Sequence, residues 1–102
     1  MTTLSMHLPV TVDPDEFEEE VVTAVADRLR DEHGFERSPG STGSDETEHR
    51  YQLTPDGAIV VVRRQDRLTV RLRELDVDAR DLFTGVSSEL EQRHDGLAVE
   101  ID

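Results

Sequence analysis

Apolar and polar residues alternate from the start of the chain. Leu4, Met6, Leu8, Val10 and Val12 are separated by Ser, His, Pro and Thr, a two-residue period that predicts a strand with one buried face. Pro9 within it marks an edge position or a break. The period then changes. Asp13 can cap a helix, Pro14 fits its first position, and Glu16 completes a spacing like a capping box. Phe17, Val21, Ala24, Val25 and Leu29 follow on one helical stripe. Gly34 should stop the helix, with Arg28, Arg30 and His33 in its last turns, where cations suit the dipole.

Phe35 to Arg37 adds at most a short strand, and Ser38 to Thr47 (SPGSTGSDET) has the composition of a flexible loop. Three strands are then expected at 48–53, 58–64 and 67–74. Pro55-Asp56-Gly57 suits a type I turn followed by a left-handed glycine, and Gln65-Asp66 suits a tight two-residue turn. The first turn sets Leu53 opposite Ile59 and Tyr51 opposite Val61. The second sets Val61 opposite Val70 and Ile59 opposite Leu72. Both turns therefore place Tyr51, Leu53, Ile59, Val61, Leu68, Val70 and Leu72 on one face, the expected core.

Asp78 should cap a second helix, with Asp81 at the third position. Leu82, Phe83, Val86 and Leu90 form its stripe, and Gly96 should end it after Arg93 and His94. Leu97, Val99 and Ile101 close the chain as an alternating strand. Two one-striped helices and a meander with one fully apolar face predict an α+β two-layer sandwich. Its sheet is mainly antiparallel, of five or six strands, with both helices on one face, in one domain spanning 1–102. It resembles ferredoxin-like folds with one or two extra strands, a likeness that implies no activity.

Composition changes the picture. The chain has 102 residues and a formal net charge of −13, and its eleven cations are all Arg. A chain this size buries roughly 65% of its unfolded surface, enough for one modest core. Self-repulsion at this charge destabilises a small domain in dilute buffer, but at about 1 M salt the Debye length falls to roughly 3 Å and the repulsion nearly vanishes. Arg also brings a weakly hydrated, planar head in place of the strongly hydrated point charge of Lys. In these respects the composition resembles that of the cytoplasmic proteins of salt-accumulating haloarchaea. The likeness runs along the whole chain and carries no motif, so it implies an environment and not an activity. There is no Cys, which excludes disulfides, thiol catalysis and thiolate metal sites. The first residues lack a basic region, a long apolar run and a cleavage site, and no apolar run approaches a membrane span, so a cytoplasmic, membrane-free protein is expected.

Candidate chemistry is sparse. The acidic run Asp13, Asp15, Glu16, Glu18, Glu19 and Glu20 departs from an EF-hand loop, because Glu18 stands where the turn glycine belongs. It is better read as a hydrated, dipole-favoured helix start. His7, His33, His49 and His94 show no paired ligand spacing, and His33 and His94 fit helix ends. The loop 39–44 lacks the Gly-Lys-Ser/Thr ending of a phosphate cradle and runs into Asp45 and Glu46. Ser87 and Ser88 have no evident base beside them. No catalytic residue, cofactor site or metal site is expected.

One charge feature stands out. Residues 50–73 hold six Arg against two Asp, a net +4, whereas the segments before and after carry −10 and −7. The strand register gathers Arg50, Gln52, Val60, Val62, Arg64, Arg67, Thr69, Arg71 and Arg73 on the second sheet face. Residues 58–62 are apolar on both sides, so Val60 and Val62 should want a cover of their own. The face can simply be solvated, or it can meet a protein partner, since an apolar centre with an Arg rim fits interface anatomy. The expected function is accordingly a protein-interaction or self-association module, a homodimer or a complex with another protein, centred on Val60 and Val62 and rimmed by Arg50, Arg64, Arg71 and Arg73. The alternative is a nucleic-acid-associated protein using the same face. Six phosphate contacts would lose roughly 10⁶ in affinity between about 0.2 M and about 3 M salt, and stacking aromatics are missing from this face, so nucleic acid is disfavoured at high salt.

The charge count makes stability depend on salt. The thermal unfolding midpoint is expected to climb steeply from dilute to multimolar KCl, and an unchanged midpoint would contradict the haloadapted reading.

Overall fold

The computed structural model describes residues 2–44, 48–54, 57–64, 66–75, 77–94 and 96–101, with the backbone alone for 37–44. Strand β1 (Thr3–His7) leads into helix α1 (Pro14–His33). Strands β2 (Glu36–Ser44), β3 (Glu48–Thr54), β4 (Ala58–Arg63) and β5 (Arg67–Arg73) follow, then helix α2 (Ala79–Arg93) and strand β6 (Ala98–Ile101). All strands lie in one open antiparallel sheet, ordered β2-β3-β4-β5-β1-β6. Both helices cover the same face, giving the expected α+β sandwich. Among the described residues no helix is long and apolar enough to cross a membrane.

Pro9 acts as a break. β1 ends at His7, Leu8 N–H donates to Asp66 O at 2.8 Å, and a turn follows in which Val12 N–H reaches Pro9 O. The alternation expected through Val12 therefore stops early, and Val10 is 103% exposed. β1 is also interior to the sheet, between β5 and β6, a place where proline cannot contribute its ladder hydrogen bond.

The helix starts follow the sequence closely. Asp13 accepts from Asp15 N–H at 2.9 Å, and Asp78 accepts from Asp81 N–H at 3.1 Å. α1 ends where Gly34 turns left-handed. α2 stops at Arg93, short of the Gly96 expected to end it, because His94 leaves the helix and turns its ring toward α1. The helices approach closely at Gly85. Arg28 crosses from α1 to donate to Gly85 O at 3.2 Å, and a Cβ at Gly85 would lie 2.6 Å from the guanidinium.

The core holds Leu4 and Met6 of β1, Ile59 and Val61 of β4, Leu68 and Val70 of β5, Phe17, Val21, Val25 and Leu29 of α1, and Phe83, Val86 and Leu90 of α2, all essentially inaccessible. The expected stripe on α1 proves wider, since Val22 and Ala26 are also buried. Tyr51 and Leu72 pack at the core margin.

Two expectations about the meander need correction. The β4–β5 register is as expected, with Val61 opposite Val70 and Ile59 opposite Leu72. The β3–β4 register differs by two residues. Tyr51 faces Ile59, and Leu53 N–H donates to Gly57 O, so Gly57 closes the hairpin and is not part of its loop. A two-residue slip leaves every side chain on its assigned face. The segment expected as a flexible loop over 38–47 is largely β2, which pairs with β3 through 44, while 45–47 lie outside the described residues. The register shifts between Arg37 and Thr42. Such an irregularity lets an edge strand absorb Pro39 and Gly40 and still satisfy β3's outer backbone groups.

Gly57 has φ +92, and a Cβ there would overlap the Leu75 side chain. Gly57→Ala is expected to cost about 2–3 kcal/mol from left-handed strain and overpacking together, read as a lowered midpoint in urea at constant KCl. An unaltered midpoint would show that the hairpin closes without this contact.

Candidate functional site

The face of the sheet away from the helices displays Arg50 and Gln52 from β3, Ala58, Val60 and Val62 from β4, Arg67, Thr69, Arg71 and Arg73 from β5, and Thr3, Ser5 and His7 from β1. Arg64 continues it at the β4–β5 turn, where Arg64 and Arg67 exchange both backbone hydrogen bonds. All six residues expected to form the partner surface thus share one side. Arg63, the remaining arginine of the basic segment, points to the helix side and pairs with Asp15 at 2.6 Å.

Val60 is fully buried although no helix lies on its side. Arg50 and Arg71 flank it in the ladder, and their aliphatic stems supply the cover. Glu48, on the same face, stands 3.5 Å from the Arg50 guanidinium and 3.8 Å from that of Arg71. This carboxylate between two guanidinium groups relieves the like-charge repulsion that packing them over a valine would cause. The chain therefore covers Val60 itself, and the residue expected at the centre of an interface lies beneath its surface. Val62, between Glu48 and Thr69, is half-buried.

The cations remain incompletely satisfied. The Nε atoms of Arg50 and Arg71 are buried without a hydrogen-bond partner, and each such donor carries a desolvation cost of about 1–3 kcal/mol. Arg67 donates to His7 Nε2 at 3.2 Å. Among the described residues Arg64 and Arg73 have no carboxylate partner, and both are exposed.

The helix side holds a polar cluster that the residue pattern did not bring out. Glu18 is 5% exposed. Its carboxylate accepts from His49 Nδ1 at 2.7 Å and from the Tyr51 hydroxyl at 2.5 Å, with Arg63 Nε 3.8 Å away. The hydrated helix start expected for residues 13–20 is thus interrupted by one buried carboxylate. Two signals mark it. Glu18 lies four residues before Val22 and seven before Val25, inside the buried arc of α1. His49 shares strand parity with Tyr51 and Leu53, which places it on the helix side. The cluster ties the first turn of α1 to β3 and β4.

His94 packs edge-on against Phe17, with ring centroids 5.3 Å apart, and donates to Glu20 at 2.9 Å. Burial pushes the Glu20 carboxyl up, but hydrogen bonds from His94 and Arg93 and their charges outweigh it and hold it below the usual carboxylate range. Ser87 donates to Thr84 O within α2. Side chains of the loop 39–44 lie outside the described residues. No three metal-ligating side chains converge among the described residues.

No protein-family model, curated protein or solved structure matches the chain.

The Glu18 cluster can be tested through its shortest bond. Tyr51→Phe removes a donor to a buried carboxylate and is expected to cost about 1.5–3 kcal/mol, measured by urea unfolding in molar KCl. A negligible loss would show that the hydroxyl adds nothing to the anchoring of α1.

Proposed function

We propose that the protein is a non-catalytic interaction module of a salt-rich cytoplasm, and that its Arg-rich sheet face docks the carboxylate-bearing helix layer of a second copy. The observation behind this reading is a whole sheet face left bare of helices, on which Arg64 and Arg73 are exposed and lack carboxylate partners among the described residues. Carboxylates that accept bidentate guanidinium hydrogen bonds meet that need at short range, where salt screens least.

The burial of Val60 alters the kind of contact. An apolar anchor of Val60 and Val62 would favour two identical faces meeting, but Val60 is already covered. Two such faces would also set arginines against arginines. The helix layer offers the complementary charge, with Glu16, Glu19, Glu20, Asp27 and Glu89 along the groove between α1 and α2. Sheet face against helix layer is a head-to-tail contact, which builds rings or open chains of copies instead of closed two-fold dimers. Nucleic acid remains the weaker occupant. The only tyrosine is engaged with Glu18 on the opposite side, and Glu48 sits between Arg50 and Arg71.

Sedimentation velocity in molar KCl should show wild-type protein growing in size with concentration, and the variant Arg64→Glu/Arg73→Glu, at two exposed positions, remaining monomeric. A wild type monomeric at every concentration in both dilute and molar KCl would overturn the proposal. So would sub-micromolar binding of single-stranded or duplex nucleic acid by this face at molar KCl.

A further inference from the structure

We propose that a recess on the Arg-rich face, over Ala58, binds a single carboxylate group and is the anchor point of the docking surface. The inference rests on the proposed function and names the chemistry of its central contact.

Gln52, Ala58 and Arg73 occupy one row of the ladder, next to the row of Arg50, Val60 and Arg71. Ala58 carries the smallest side chain of either row, and Gly57 before it carries none. The result is a recess of about 140 Å³ floored by Gly57 and Ala58 and walled by Arg50, Gln52, Arg73 and Glu74. A water molecule's share of liquid volume is about 30 Å³, so a carboxylate group fits with water beside it. The recess cannot be filled from Gly57, because the Leu75 side chain occupies the place of a Cβ there.

Its donors lack acceptors. Arg73 is exposed and has no carboxylate partner among the described residues. The Arg50 ion pair with Glu48 is a loose 3.5 Å and belongs to the neighbouring part of the face, because Glu48 pairs in the ladder with Val62. Two guanidinium groups and a side-chain amide around a floor that is 6% exposed at Ala58 make a concave donor set for a planar anion.

Glu74 sets the charge the recess accepts. It is the one described non-glycine residue with positive φ, at 58°, a conformation that ordinary side chains disfavour. This backbone turn ends β5 and leaves the Glu74 carboxylate at the rim. Beside that fixed negative charge a monoanionic carboxylate is repelled less than a dianionic phosphate. With Arg50 and Arg73 opposite it, Glu74 leaves the recess an excess of one positive charge, which one carboxylate neutralises, and it lessens the advantage a dianionic phosphate would otherwise hold.

The test is an NMR titration of the arginine Nε–Hε signals with potassium acetate or inorganic phosphate, at ionic strength held constant with KCl. Acetate should shift the Arg50 and Arg73 signals saturably. Ala58→Leu fills the recess without altering any charge and should abolish saturation. Arg73→Gln, at an exposed position, should do the same if the leucine variant fails to fold. Glu74→Gln should tighten phosphate more than it tightens acetate. Shifts that rise linearly with concentration, or equal shifts at Arg64 and Arg67, would reduce the recess to part of a diffuse positive surface and overturn the inference. Saturable acetate binding by a protein that never self-associates would sink the proposed function and leave the recess standing. Self-association without acetate binding would do the reverse.

Discussion

Strand β4 sets the problem that the rest of the molecule answers. Its run Ala58-Ile59-Val60-Val61-Val62 is apolar on both sides of the pleat, yet both helices among the described residues are held on one side by the same core. Ile59 and Val61 fall under Phe17, Val21, Phe83 and their neighbours. Val60 must be covered from the opposite side, and the ladder brings only β3 and β5 within reach. Arg50 and Arg71 lie directly across from it, and their stems act as a third, one-residue-thick layer. That packing concentrates positive charge over a valine, and Glu48 is the counter-charge that makes it tolerable. The basic character of the outer face is thus tied to the burial of a core strand, and any binding role is built on that packing.

What was legible in the sequence follows from which interactions are local. Asp13-Pro14 and Asp78 fix the helix starts through backbone groups two or three residues away, so they could be read directly. Faces of the meander were legible because parity survives a two-residue slip, and the β3–β4 hairpin slips by that amount. β2 was not legible. Its Ser, Gly and Thr residues carry no periodic signal, and it is strand because β3 offers an open edge to pair with. The end of α2 was missed for a related reason: His94 is drawn away by Glu20 and Phe17, some seventy residues earlier in the chain.

The Glu18 cluster shows why buried polar groups resist a pattern-based reading. Among Asp15, Glu16, Glu19 and Glu20 it looks like one more solvated acid, and only its place on the helical wheel differs. Its burial depends on His49 and Tyr51 arriving from β3 with donors aimed at it. Without them the carboxylate would carry a desolvation cost of several kcal/mol. With them it is a satisfied polar tie between α1 and β3. The composition of the outer sheet face was legible residue by residue, but its relief was not. The sequence places Val60 and Val62 side by side, whereas packing sinks one beneath arginine and leaves the other half-covered.

The exclusive use of Arg acquires a structural meaning from these contacts. Arg28 reaches between the helices to a backbone carbonyl, Arg93 bridges Glu20 and Glu89, and Arg63 spans Asp15 and Glu18. Each places a planar, multi-donor head between two acceptors, which the point charge of Lys meets less well. Over Val60 the requirement is stricter still. The cover must bury an apolar stem to its Nε while the charged head stays beside Glu48, and an ammonium group would keep its own hydration shell in that space. An acidic chain that closes its core with cations depends on contacts that work at hydrogen-bond distance. Arginine supplies them here in the core cover, in the helix contacts and on the open face.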